Sequence, residues 1–324
     1  MNRTRRIVSL ISSATEMLYL LGLGDLVVGV SHECDFPPDV ANKPRLTRSN
    51  VDASQPSAAI DRQVQDLSAQ QASLYQIDVD RLAVLAPDLI ITQAQCDVCA
   101  VRYADVISAV DRRPELRNAT VLPLNPYRIA DVFADIQQIA DAAGVADRGR
   151  RVVAELSARV ERISQQTAAL SPDELPRVAC FEWIDPPMLA ANWTPQLVAW
   201  AGGQDGMPTD GRHSSYADWN KIVRFDPQVV VIMPCGFALE RAISEAQVLA
   251  SRPEWPTLSA VREGRVYAVD GNALFNRSGP RLVDSLELLA HLLHPERFAP
   301  PAHVPPDAWR RLRTEANHLI AATA

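Results

Sequence analysis

No run of apolar residues in this 324-residue chain approaches the roughly 20 that a bilayer-spanning helix needs, so stable membrane insertion is not expected. Basic residues are the minority: 32 Lys and Arg against 39 Asp and Glu give a net charge of -7, with no basic stripe. That balance excludes the usual electrostatic footprint of a nucleic-acid partner. The apolar run that follows Arg5 and Arg6 ends at Ile11, where Ser12, Ser13 and then Glu16 interrupt it. No continuous secretory-signal core is legible there, and a cytoplasmic location is the resulting expectation. Cysteine is scarce, with five residues, an odd number. In a reducing compartment they read as thiols or metal ligands rather than disulfides. Also missing are Ser-x-x-Lys, Gly-x-Ser-x-Gly, His-Glu-x-x-His and a phosphate-cradling glycine loop, which argues against familiar hydrolases and nucleotide binders. No enzymatic activity is expected.

What is present is a repeated local design. Val27–Val30 runs into Ser31-His32-Glu33-Cys34, and Leu89–Ile91 runs through Gln93 to Cys96 and Cys99. Val178–Phe181 runs into Glu182-Trp183, and Val229–Met233 into Pro234-Cys235-Gly236. Short unbroken aliphatic runs read as parallel strands buried on both faces. Ligands of open α/β sheets lie outside the carboxyl ends of such strands. Two sheets facing each other would aim all four segments at one cleft.

Helical spacing of apolar residues predicts helices over 129–143 and 146–170, with no strand pattern between them. The second, about 25 residues at roughly 1.5 Å each, would be about 37 Å long and suits a connector. The reading is an α/β protein of two Rossmann-like lobes with mainly parallel sheets joined by a long backbone helix. Its boundaries are 1–126 for the first lobe, 127–171 for the helical linker, 172–299 for the second lobe and 300–324 for a helical appendage. Ser13-Ala14-Thr15-Glu16 fits a capping box at the first helix. The Ser12-Ser13 corner suits either an anionic group of a ligand or helix capping alone.

The segments Ile7–Glu16, Leu85–Ile90 and Asp226–Ile232, with the long linking helix, resemble the substrate-binding proteins of iron-siderophore, haem and vitamin B12 uptake, the class III fold. Ser31–Pro38, Thr92–Ala100, Glu182–Pro187, Met233–Phe237 and Arg281–Leu286 are similar, more narrowly, to its cobalamin-binding branch. The likeness covers approximately Arg6 to Glu296. It implies reversible capture, with little domain motion, of cobalamin or another corrinoid, a tetrapyrrole or a metal chelate. Periplasmic members dock on a permease through one acidic residue per lobe. Here those positions fall near Cys99 and near Asn220, with Asp218 two residues earlier, so docking on a standard importer is not expected.

His32, Cys34, Cys96, Cys99 and Cys235 are the candidate metal ligands. Thiolates and imidazole together favour zinc or another soft divalent ion; buried packing and redox exchange are the other readings of the same thiols. For the organic ligand the candidates are Ser12, Ser13, His32, Gln93, Trp183, Trp193, Tyr216, Phe275 and Arg277, the aromatics offering flat apolar faces. Loop packing is the alternative for Trp183 and Trp193. Three functions follow: a corrinoid-binding module, a cytosolic protein with a Cys/His metal site, or an enzyme of a class these motifs do not reveal.

Overall fold

The structure is a computed structural model, described over residues 5–96, 98, 100–207, 211–315 and 318–322. It divides into two compact units. The first comprises Met1–Gln55, Ala59–Pro126 and Ala130–Glu155; the second comprises Pro56–Ala58, Tyr127–Ile129 and Leu156–Ala324.

The first unit contains β1 (Ile7–Ser9), α1 (Ser12–Leu20), β2 (Val27–Val30), β3 (Thr47–Ser49), β4 (Tyr75–Ile77), α3 (Val79–Leu85), β5 (Leu89–Gln93), α4 (Tyr103–Asp111) and β6 (Thr120–Leu124), and all but the first residues of α2 (Ser57–Ala69) and α5 (Ile129–Ala142). Four strands form a sheet in the order β2-β1-β5-β6, parallel throughout. Residues of β1 and β5 are buried without exception, as their unbroken aliphatic runs require. Leu10, Leu46, Leu82, Ile90 and Val106 are among the side chains that close the core beside the sheet. Parallel strands of one sheet end at one edge, so the loops after β1, β2 and β5 emerge together. The antiparallel pair β3-β4 carries Thr47, whose neighbour Leu46 is fully buried.

α6 (Ala146–Thr167) spans 22 residues, about 33 Å, and contributes residues to both units. In the second unit Arg159, on its later turns, bonds Asp284 at 2.6 Å and Glu287 at 2.8 Å, and Arg162 bonds Glu287 at 2.9 Å. The guanidinium holds the Glu287 carboxyl below its ordinary range against desolvation, whereas desolvation outweighs the same partner at Asp284 and pushes that group up.

The second unit continues with β7 (Val178–Trp183), β8 (Met188–Leu189), α7 (Thr194–Trp200), β9 (Ser215–Tyr216), α8 (Trp219–Phe225), β10 (Val229–Ile232), α9 (Leu239–Ala250), α10 (Ser259–Arg262), β11 (Val266–Val269), α11 (Leu282–Leu293), β12 (Trp309–Glu315) and β13 (His318–Ala321). Its sheet runs β13-β12-β11-β10-β7-β8-β9. Only the central β11-β10-β7 pairs are parallel; both flanks are antiparallel. The mainly parallel sheet expected for this lobe is therefore corrected to a mixed one with a parallel centre. Trp255, fully buried, stacks on Trp219 at 6.4 Å in the core against this sheet.

Two further expectations are corrected. In place of the helical appendage expected over 300–324, the described residues there include β12 and β13, a hairpin that extends the sheet from β11. Trp309, Leu312 and Leu319 mimic helical spacing in the sequence, but Leu312 and Leu319 sit on neighbouring strands and point into one core. The capping box at Ser13 is also absent. α1 begins two residues earlier, its N-cap is Ile11, and no side chain caps it. Ser12 and Ser13 lie inside the first turn and are buried. A capping box does form at Ser171 and Glu174, where sequence reading saw only the end of a helix.

The hairpin's place in the core gives a prediction. Leu312→Ala removes a fully buried side chain and should lower the unfolding free energy by about 2 to 5 kcal/mol. The adjacent exposed Arg313→Ala should stay within about 0.5 kcal/mol. Urea titration followed by tryptophan fluorescence checks this, and equal midpoints for the two variants would show that the hairpin is dispensable to the fold.

Candidate functional site

In the first unit, the loop after β2 carries the densest polar chemistry. Its start is fixed because Ser31 N–H donates to Ser9 O at 2.9 Å, tying this loop to the end of β1. Thr47 then organises it: His32 N–H donates to Thr47 Oγ1 at 2.9 Å, His32 Nδ1 lies 2.7 Å from the same oxygen, and Ser31 Oγ lies 3.0 Å away. One consistent network has Nδ1–H donating to Thr47 and the Thr47 hydroxyl donating to Ser31. It leaves His32 Nε2 with its lone pair, the arrangement of an imidazole prepared to accept a proton or coordinate a metal.

The imidazole side chain is 28% exposed. Its pKa lies below 6.5 because burial disfavours the cation and Arg45 adds repulsion. Arg45 is held where it exerts that repulsion, donating to Ser31 O at 3.1 Å and also to Cys34 O. The Tyr75 ring lies 5.6 Å from the imidazole. Thr47 and Tyr75 were invisible as site residues in the sequence because β3 and β4 are three residues long and carry no periodic pattern.

The remaining first-unit candidates have structural duties. Cys34 is 1% exposed, with Sγ 3.1 Å from Thr15 Oγ1, so its thiol is packed behind the loop. Gln93 is buried and folds over its own loop, donating to Cys96 O at 2.5 Å and accepting from Cys96 N–H at 2.8 Å. Cys96 is half-buried, its sulfur accepting from Val98 N–H at 3.4 Å. Cys99 lies outside the described residues. Among the described residues no group of three or more His, Cys, Asp and Glu side chains is placed to hold a metal ion.

In the second unit, the loops after β7 and β10 supply the aromatic surface. Trp183, at the end of β7, packs on Phe237 at 5.3 Å, and the Arg241 guanidinium sits 3.7 Å above the Phe237 ring. Trp183 is half-buried, and its Nε1–H is shielded from solvent with no acceptor among the described residues. A donor buried this way carries a desolvation cost that a ligand acceptor would relieve. Glu182 beside it accepts from Ser214 Oγ at 2.8 Å.

Cys235 is exposed at the crest of the β10 loop, which turns at Gly236 with φ +76. Beneath the crest runs the loop carrying Gly271, where an added Cβ would lie 2.2 Å from Pro234 O, so only glycine allows the two loops this close. Asn276 stitches them, donating Nδ2–H to Met233 O at 2.7 Å and to Gly271 O at 2.9 Å.

Trp193 and Phe275 lie inside this loop system. Trp193 is 6% exposed and Phe275 1%. Trp193 Nε1–H donates to Phe275 O at 2.6 Å, and Phe275 N–H donates to Ser285 Oγ at 3.0 Å. These bonds hold Phe275 at φ 64, a conformation costly for a non-glycine residue. Arg277 is also buried and donates to Asn272 Oδ1 at 2.9 Å. Tyr216 is half exposed on β9. Of the residues expected at the site, His32, Trp183 and Tyr216 are partly exposed, whereas Cys34, Gln93, Trp193, Phe275 and Arg277 are buried and bonded within their own units.

Comparison with known proteins agrees with this fold. The periplasmic binding protein family profile matches residues 7–273. An uncharacterized ABC transporter substrate-binding lipoprotein, YvrC of Bacillus subtilis, is 25% identical over 91% of this chain and 81% of its own length. The vitamin B12-binding protein of Vibrio cholerae is 23% identical over 87% of this chain and 86% of its own. Among solved structures, the periplasmic heme-binding protein RhuT from Roseiflexus sp. RS-1 aligns with a TM-score of 0.67 at 20% identity, over 90% of this chain and 99% of its own. The profile and these relatives overturn the cytoplasmic expectation: the kinship is with periplasmic binding proteins. Among the described residues no helix is long and apolar enough to cross a membrane.

His32 gives this section's prediction. A lowered imidazole pKa means that the folded state binds the proton less tightly than the unfolded one. The stability this confers is present above about 6.5, the unfolded value, and is lost as pH falls from there through the folded pKa. A histidine NMR titration should place His32 below 6.5, and Arg45→Gln should move it upward. A His32 midpoint at or above 6.5 in the wild type would remove the argument for a neutral imidazole.

Proposed function

Because the chain belongs to the periplasmic binding protein family, whose members bind and carry rather than catalyse, we propose that it captures cobalamin or a related corrinoid. The observation that carries this reading lies in the loop after β2 of the first unit, where a partly exposed imidazole has its Nδ1 occupied by Thr47 and its Nε2 4.0 Å from Glu33 Oε1. In the second unit, taken by itself, the loop after β7 carries an indole backed by Phe237 and Arg241.

A corrin is a broad, largely apolar plate with polar amides at its rim and a metal at its centre. Such a ligand calls for aromatic faces, a few directed polar groups and a nitrogen donor. In this reading His32 Nε2 approaches the cobalt of the cargo, and an aromatic face such as that of Trp183 suits the plate. Haem offers the same combination of plate and metal, and the kinship with vitamin B12-binding and heme-binding proteins supports this class of ligand. The zinc alternative has no comparable support among the described residues.

A permease of the ABC type is the proposed partner, following the similarity to a substrate-binding lipoprotein of such a system. This replaces the expectation, drawn from the residues near Cys99 and Asn220, that docking on a standard importer is doubtful. Asp218, exposed at the start of α8 with one carboxylate oxygen capping Asn220 N–H at 2.9 Å, is a surface acid suited to such a contact.

Calorimetric titration with cobalamin, cobinamide and haem tests the reading. One site per chain is expected for at least one of them. Trp183→Ala should cost about 1 to 3 kcal/mol of binding. No heat and no spectral change with any of the three, at concentrations on the order of tens of micromolar, would end the tetrapyrrole reading.

A further inference from the structure

The family match stops at residue 273, and the hairpin β12-β13 lies beyond it. On the face of that hairpin turned toward α11 there is a cavity of about 800 Å³, remote in sequence from the strand-end loops. This volume is in the range of sites for small organic ligands.

The cavity has a consistent chemistry. Trp309, Arg311 and Arg313 alternate along β12 and share one strand face, about 7 Å apart in succession, while Leu312 points into the core. Tyr267 stands opposite Arg311 in the register and packs on Trp309 at 6.2 Å. His291 of α11 meets the Trp309 ring edge-on at 5.4 Å and is held there by Phe298 O at 2.7 Å. Pro295 and Pro306 complete the apolar wall.

Two of the cations at its rim, Arg310 and Arg311, are oriented by main-chain carbonyls, which leave their charge unneutralised. Arg311 Nε–H donates to Gly264 O at 2.5 Å, and Nη2–H donates to Glu263 O at 3.3 Å. Arg310 donates to the carbonyls of Pro306 and Trp309, both at 2.8 Å. Arg313 pairs with Glu315 at 2.9 Å, but both side chains are more than half exposed, and such a pair exchanges readily for a better anion. Guanidinium groups with fixed planes favour oxyanions that accept two parallel bonds.

Strand addition is not what this hairpin offers. The outward main-chain groups of Leu319 on β13 are already taken by Gln247, which donates Nε2–H to Leu319 O at 2.7 Å and accepts Leu319 N–H at 2.9 Å. A side-chain amide thereby occupies the position where a peptide strand would pair.

We infer that the Trp309 cavity is a second ligand site, for an amphiphile whose apolar body lies against Trp309, Tyr267 and the two prolines and whose carboxylate, phosphate or sulfonate is held by Arg311 and Arg313. The oxyanion comes from a soluble amphiphile or from a lipid headgroup, and the test separates the two. Titrate the full chain with 8-anilinonaphthalene-1-sulfonate, reading its fluorescence, and compare Trp309→Ala, Arg311→Glu and Arg313→Glu. Saturable binding is expected, with Kd raised at least about ten-fold in each variant at unchanged circular dichroism. Arg313→Glu keeps the test valid if Arg311→Glu, losing its carbonyl anchors, fails to fold.

Pelleting with phosphatidylglycerol vesicles that is abolished by Arg313→Glu would identify the source as lipid; probe binding without pelleting would identify a soluble ligand. Cobinamide affinity should be the same in all these proteins, so failure of the corrinoid reading leaves this one standing. Absence of saturable probe binding, or equal Kd in wild type and all variants, overturns the second site.

Discussion

Buried parallel strands impose the constraint from which the rest of this structure follows. In β1, β5 and β10, and through the first four residues of β7, the side chains are buried on both faces of the sheet, so the strands themselves can carry almost no exposed polar chemistry. The polar residues are displaced to the loops at the carboxyl ends. In the first unit this gathers Ser31, His32, Cys34 and Cys96 at one edge, and in the second it gathers Glu182, Trp183, Cys235 and Phe237. Each edge then has to be stiffened, because a loop alone would not hold a side chain in place. Thr47 does this for His32; Asn276, Trp193 and the glycine contact at Gly271 do it for the loops of the second unit.

This division explains how much could be read in the sequence. The aliphatic runs marked the strands almost to the residue: Val27–Val30 is β2, Val229–Met233 overruns β10 by one residue, and α6 starts at the expected Ala146. The polar residues that end those runs marked the loops. What the pattern did not carry was the bracing. Cys34, Gln93, Trp193 and Phe275 have the chemical character of ligand-binding residues, yet each is buried and bonded within its own unit. Whether a polar or aromatic side chain serves a ligand or a neighbouring loop depends on contacts far apart in the chain, and local spacing does not encode them. Thr47 was missed for the converse reason, since a three-residue strand has no period to detect.

The two edges of the second sheet show the same limit. Short antiparallel strands such as β8 and β9 have two residues each and leave no alternation to find. The terminal hairpin carries residues at spacings that a helix would also accept, and only the pairing of β12 with β11 decides between them. Location followed a different logic. It had rested on the composition of the first residues, and kinship with periplasmic binding proteins across residues 7–273 outweighs that composition.

The proposed function rests on one side chain more than on any other: a Thr47-anchored His32, its pKa lowered by burial and by Arg45, whose Nε2 would meet the metal of a flat chelate. Visible absorption spectroscopy of aquocobinamide tests it most directly, because replacing a water ligand on cobalt by an imidazole nitrogen shifts the corrin bands. The account predicts a shifted spectrum on mixing with the wild-type protein and a bound but unshifted spectrum with His32→Ala. Identical bound spectra for the two proteins would contradict it.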